Sequence, residues 1–461
     1  MKFLSPEIRH FHYRAGFGVG ISELPQHSDN RSYSQVVDEA IEESIQRIEV
    51  EELMQGSPVR NEAFFSENND HGMQYMETAS TQLDQLRGLW MDKMIGNDAC
   101  LAEKMTLFWH THFACQCSTE RIALQYLNVL RKHALGNFRS LLHEVAKSPA
   151  MIIFLNNLQN RRDHPNENFA RELMEIFTMG RGNYSETDVK ESARAFTGWS
   201  ADRQGNFLFR EQNHDFEQKT FLGVSGRLDG TDIIDLILKQ PATTLFLAKK
   251  LYHYFVSEIP NSDHIQRIAR EIKAHDYEMS KVMHFLFTSR FFADPQNIGN
   301  RIKSPIELLV QVARLFKIEY LNPTQVSFLQ KALGQLLFDP PNVSGWAGGR
   351  SWINNSTLML RLNLVRYLIN RERFDHAVST PLEAMATGES IQIVEIKHDH
   401  SALLDRLSGT RYDRMEELVK NLLLATDSPT PSISKPRDFR DLDFTLELVL
   451  KVVSLPEFQM S

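Results

Sequence analysis

The chain has almost no cysteine, no long apolar run, no surplus of basic residues and little that reads as β-strand. Its 461 residues include three cysteines, Cys100, Cys115 and Cys117. So sparse and odd a count argues against a disulfide framework. Cys115 and Cys117 stand two apart on an expected helix, where their side chains diverge, and they read as packing residues. No stretch approaches the roughly 18 apolar residues needed to span a bilayer. Residues 1–10 lack the apolar core, about 7–15 residues long, of a secretory signal. The expectation is a soluble, cytoplasmic chain with no membrane span. With 51 Lys and Arg against 59 Asp and Glu, the net charge of -8 argues against sequence-independent nucleic-acid binding. Neither βαβ alternation nor a glycine-rich fingerprint between strand and helix is present, so a dinucleotide-binding sheet is not expected. Gly-x-Ser-x-Gly, Walker, His-Glu-x-x-His and Cys-x-x-Cys patterns are missing too, and no internal repeat appears.

What is present is helical periodicity. It covers 33–55, 78–95, 101–117, 120–146, 166–179, 186–197, 231–238, 242–256, 263–274, 279–288, 304–317, 323–336, 356–370, 412–424 and 441–453. Ser185-Glu186-Thr187-Asp188 and Asn322-Pro323 supply start signals. Residues 206–210 read as one arm of a small β-hairpin running toward 219–223, and 390–396 as a second candidate strand. The expected fold is therefore all-α, an irregular helical bundle in one large domain over 1–461, with a small β-hairpin and a Gly/Pro/Trp-rich loop. Residues 56–76 read as a loop or lid, and 375–438 as an insertion or linker region.

The most informative stretch is 166–180. At about 100° per residue, Glu167, Asn168, Arg171, Glu172, Glu175 and Thr178 fall on one narrow arc, and Phe169, Ala170, Leu173, Met174, Ile176 and Phe177 fill the rest. Such a stripe is either the wall of a polar site or a surface laced with i,i+4 ion pairs. Carboxylates clustered in a pocket would push one pKa upward, which lets a general acid and a general base coexist.

His110 and His112 invite a metal reading, with Glu172 as a further ligand and a divalent metal as the cofactor. Helix geometry objects, because residues two apart lie about 200° apart. A core histidine satisfied by a buried carboxylate or carbonyl is the competing reading of His112; Glu172 or Glu175 as its partner would make an acid/base pair. His398 and His400 follow the end of the second candidate strand, where alternate residues would share a face and a solvated turn competes with a metal site. Arg194 and Trp199 flank Thr197-Gly198, and His214-Asp215 follows the hairpin arm. In the loop from Pro340 to Trp352, Trp346 and Trp352 offer stacking faces and Arg350 a planar donor fork. That loop is either a sugar- or peptide-binding element or a rigid wedge plugging the helical core.

Several stretches together resemble one bacterial family, known as domain of unknown function 1800. They are His10-Phe11-His12-Tyr13-Arg14-Ala15-Gly16-Phe17-Gly18, Lys104-Met105-Thr106-Leu107-Phe108-Trp109-His110-Thr111-His112-Phe113, the 166–180 helix and Ala193-Arg194-Ala195-Phe196-Thr197-Gly198-Trp199. His214-Asp215, Lys219-Thr220-Phe221-Leu222-Gly223, the 340–352 loop and Ser454-Leu455-Pro456-Glu457-Phe458-Gln459 complete the set. The resemblance implies a mostly helical bacterial protein, often found beside exported partners, and carries over no catalytic roles. This chain departs from many relatives in lacking an evident leader.

Two functions remain open. The first is an acid/base or metal-assisted hydrolase gathering Glu167, Arg171, Glu172 and Glu175 with His110 or His112, Arg194 and His214, with Asn168, Trp199, Trp346, Arg350 and Trp352 contacting substrate. The second is a non-catalytic helical protein that binds a partner protein or a glycan. The hydrolase requires a carboxylate and a histidine within hydrogen-bond reach of a cleft. The binding protein has those groups taken up by structural ion pairs, with an apolar patch exposed elsewhere.

Overall fold

The computed structural model describes residues 5–19, 31–50, 72–96, 100–202, 204–370, 394–407, 412–425 and 442–461. Helices dominate these residues: α1 (Pro6–Ala15), α2 (Tyr33–Val50), α3 (Gly72–Ile95), α4 (Cys100–His112), α5 (Glu120–Lys132), α6 (Phe138–Lys147) and α7 (Pro149–Phe154) lead. Then come α8 (Asn168–Glu172), which continues as a wider π turn over Leu173–Thr178, and α9 (Glu186–Ala195). Four short strands follow, β1 (Trp199–Ala201), β2 (Phe207–Phe209), β3 (Lys219–Phe221) and β4 (Val224–Gly226). The remainder is α10 (Gly230–Leu238), α11 (Pro241–Phe255), α12 (Ser262–Ala274), α13 (Met279–Thr288), α14 (Pro305–Phe316), β5 (Glu319–Tyr320), α15 (Pro323–Leu333) and α16 (Asn355–Asn370). It closes with β6 (Ile396–Lys397), α17 (Ser401–Leu407), α18 (Tyr412–Leu423) and α19 (Leu442–Val453). The all-α reading holds, with strands confined to two-stranded ladders.

Local chemistry sets the helix starts. Ser185 with Asp188, Asp229 with Asp232 and Ser304 with Glu307 form reciprocal capping boxes at α9, α10 and α14. Proline occupies the first turn of α11, α14 and α15, where a missing N–H costs nothing. One contiguous buried cluster runs from Phe11 through Trp90, Trp109, Leu251 and Leu309 to Phe458.

Several boundaries differ from the periodicity. The helix expected over 101–117 stops at His112, so Cys115 and Cys117 lie beyond its end; both are buried and free. The helix expected over 120–146 breaks into α5 and α6, because Asn137 caps a new start by accepting from Arg139 N. The expected pairing of 206–210 with 219–223 is replaced by two separate hairpins, β2 on β1 and β4 on β3. Period-2 alternation marks strands but not partners, and short connections pair neighbours first. Of the expected loop over 56–76, residues 72–76 begin α3 and the others lie outside the described residues. Within 375–438, β6 pairs with β5, and α17 and α18 bury Leu403, Leu407 and Leu423; 375–393, 408–411 and 426–438 lie outside the described residues. No helix among the described residues is long and apolar enough to cross a membrane.

Candidate functional site

The polar stripe of α8 is held by intramolecular partners. Arg171 forks between Glu167 (2.9 Å) and Glu186 at the start of α9 (2.8 Å to each oxygen). Both carboxylates hold the guanidinium firmly protonated; the Glu186 hydrogen bonds act most strongly. Glu175 accepts from Arg181 Nε (2.5 Å) and from the Tyr184 hydroxyl (3.0 Å). Burial, then the Glu175 charge, pushes the Tyr184 hydroxyl up to about 12. Asn168 is taken up structurally, its amide donating to the Leu155 carbonyl at 3.1 Å. Glu172 is the exception. Half-buried, with no hydrogen bond or ion pair among the described residues, it is raised by burial and by the neighbouring Glu175 charge, against Arg171 and Arg181.

The histidines do not join these carboxylates. His112 donates from Nε2 to the Phe177 carbonyl at 3.0 Å, one of the orphan acceptors at the end of the π turn. The proposed Glu172 or Glu175 partner is therefore replaced by a backbone carbonyl. His110 lies elsewhere, its Nε2 accepting the Phe338 N–H at 3.1 Å while Trp346 stacks on its ring at 5.5 Å. Burial, helped by Lys250 against His112 and Arg87 against His110, lowers both imidazoles to about 3. The metal set of His110, His112 and Glu172 is not assembled. Among the described residues, no group of three His, Cys, Asp or Glu side chains converges on a metal position. His398 and His400 stack on each other, with Nδ1 atoms 3.4 Å apart.

Arg194 and His214 both belong to one hairpin joint, each bonded to other partners. Arg194 donates from Nε to Asp215 (2.7 Å) and from Nη1 to Glu191 (3.0 Å), while His214 Nδ1 lies 2.7 Å from the Thr197 carbonyl. Trp199 is buried against Phe196 and Phe207. In the 340–352 loop, Trp346 and Trp352 are 8% and 7% exposed, so protein covers their faces; Arg350 is exposed. Gly345 (φ +75°) lets this loop press on the end of α4, since a Cβ there would stand 2.8 Å from the Thr111 carbonyl oxygen. The candidate residues thus fall into three separate joints. Arg171→Gln is expected to move the melting temperature by less than about 2 °C, because half-exposed pairs are screened; thermal melts at two salt concentrations check this.

Periodicity gave no hint of a second constellation. Glu307 of α14 is buried, and its Oε1 accepts both from Lys104 of α4 and from Arg301 Nη1 (3.0 Å). Ser304 N donates to Oε2 at 2.7 Å. Burial alone would raise this carboxyl, but the Arg301 and Lys104 charges outweigh it and hold it well below the ordinary range. Burial also brings the Lys104 ammonium down to about 8, against the pull of Glu307. Arg14, Lys303 and Arg361 are buried nearby, Arg361 donating to the Lys303 carbonyl. A buried Lys or Arg looks like a surface residue in sequence. The available signals were that Arg14 and Lys104 lie inside the resemblance stretches and that Ser304-Pro305-Ile306-Glu307 has the spacing of a capping box.

No curated protein and no solved structure shows significant similarity to this chain. The family described as protein of unknown function (DUF1800) matches residues 10–460, nearly the whole length over which the joints and the buried charge cluster are distributed. The chain belongs to the DUF1800 family.

Proposed function

We propose that the chain is a non-catalytic binding protein that holds an extended segment of a protein partner along β2. The observation that carries this reading is the free edge of that strand. Gly198 pairs with Arg210, and Asp202 with Asn206, through inward backbone hydrogen bonds. By antiparallel alternation, Phe207 and Phe209 then direct their N–H and C=O groups away from β1. Among the described residues no third strand covers this edge. Phe209 and Phe216 are 38% and 57% exposed, with the His214 ring between them at 5.1 and 4.7 Å. An unpaired edge beside exposed aromatic rings suits β-strand addition, in which the backbone supplies affinity and the rings selectivity.

The polar helix supports the same reading, because Glu167, Arg171 and Glu175 are engaged within the chain and, among the described residues, no histidine bonds to Glu172. A glycan platform on Trp346 and Trp352 finds less support, since protein covers both faces.

Selection of peptides from a displayed random library on the full chain tests the proposal. Phe209→Pro removes an outward N–H and spares the inward ladder, so it should weaken selected peptides at least about tenfold, while Glu172→Gln leaves them unchanged. The reading is overturned by peptides indifferent to Phe209→Pro. Turnover of an ester, amide, phosphate or glycoside substrate that Glu172→Gln abolishes would overturn it too.

A further inference from the structure

Between α3 and the start of α15 lies an open cleft of about 320 Å³, at the low end of the roughly 300–1,000 Å³ typical of small-molecule pockets. Gln85, Gly88, Leu89 and Asp92 recur at helical spacing along α3 and form one wall. Tyr320 of β5, with Pro323 and Val326 of α15, forms the other. A glycine inside a helix is costly unless packing needs it. Gly88 is buried, and a Cβ on it would stand 3.3 Å from the Pro323 Cβ, so its missing side chain lets the two walls meet.

The charge of this cleft is unbalanced. Among the described residues, Asp92 is the one charged side chain in its lining. The Asp92 carboxylate stands at the rim with no hydrogen bond or ion pair among those residues. Partial burial, then the Glu319 charge, raises it above the ordinary range. Lys397, across the β5–β6 ladder, is engaged with Glu319 at 3.6 Å. On the facing wall the Tyr320 hydroxyl is buried, and among the described residues it has no hydrogen-bond partner. An anion would be repelled by Asp92. A neutral apolar molecule covers the walls but leaves the carboxylate unmet, and water does the reverse. An organic cation answers both needs.

We propose that this cleft binds a small organic ammonium compound, whose cationic nitrogen pairs with Asp92 beside Tyr320 and whose apolar body lies against Leu89, Pro323 and Val326. A cation placed there has a carboxylate on one side and an aromatic ring on the other, and both attract positive charge. No residue of β2 takes part, so the outcome is independent of the strand-edge reading.

Titration calorimetry of the full chain at pH 7 and constant ionic strength tests the site, with 2-phenylethylamine and n-hexylamine as probes. Each amine is compared with the alcohol of the same carbon skeleton. Saturable one-to-one binding of at least one amine is expected, at least about tenfold tighter than its alcohol, the scale of one hydrogen bond to a charged group. Asp92→Asn should remove that preference. Because Asp92 is exposed and unpaired, this substitution should leave the melting temperature within about 2 °C, so the loss reads the site and not the fold. Leu89→Lys supplies an ammonium from the chain itself, three residues from Asp92, and should also weaken the amine at least about tenfold. No saturable heat with either amine, alcohols that bind as tightly as their amines, or an amine affinity that either substitution leaves unchanged overturns the proposal.

Discussion

Glu307→Gln is expected to lower the unfolding free energy by about 3–5 kcal/mol, the cost of removing one partner from a buried ion pair. The carboxylate is shared, so its loss strands two cations together: Lys104, which is fully buried, and Arg301. It also removes the acceptor that satisfies the Ser304 N–H at the start of α14. Lys104→Met should cost less, because Arg301 and Ser304 N still hold the carboxylate. Urea unfolding of both variants checks the order. A loss for Glu307→Gln below about 1 kcal/mol, the range of exposed pairs, would show that the cluster is hydrated and not buried. Because its folded pKa is depressed, Glu307 stabilises fully above its unfolded value near 4.5, and this contribution is lost as pH falls below that value. The glutamine variant should therefore have a shallower acid limb below about pH 4.5 than the parent.

Acidification from neutral pH should destabilise the protein steeply, well before the carboxylates titrate. His110 and His112 remain neutral in the folded chain down to about pH 3, whereas the unfolded chain takes up these protons near 6.5. Between those values the unfolded state binds more protons, so stability is full above about 6.5 and falls as pH drops through the window. Each buried histidine contributes a loss of roughly 1.4 kcal/mol per pH unit, or about 2–3 kcal/mol by pH 4.5. His10, also pushed down by burial and by Arg14, adds a loss of the same sign. Urea midpoints at pH 7, 5.5 and 4.5 measure the slope, and His112→Gln should flatten it by one proton's worth. A slope that His112→Gln leaves unchanged would mean the imidazole is hydrated and titrates normally.

The polar helix shows how far one-dimensional reasoning reaches. Its amphipathic sorting is real: Phe169, Leu173, Met174 and Phe177 are buried, and Glu167 and Arg171 pair at i,i+4. Which residues would answer that stripe depended on neighbours distant in the chain, and there the expectation failed. Glu186 reaches Arg171, and Arg181 and Tyr184 reach Glu175, whereas His112 turns to a carbonyl. The wide turn over Leu173–Thr178 also has no mark in the residue pattern, since a π turn differs from an α turn by one hydrogen-bond step.

Helix content, most helix starts and the family resemblance are properties of neighbouring residues, and the amino-acid order alone determined them. Capping, proline placement and apolar periodicity act over a few positions. Strand partners, the neutrality of the buried histidines and the charge cluster around Glu307 were decided only by the tertiary structure. Arg14, Lys104, Arg301 and Arg361 come from four distant parts of the chain. A cation's meaning changes from solvated surface to unmet buried charge only when packing removes the water around it.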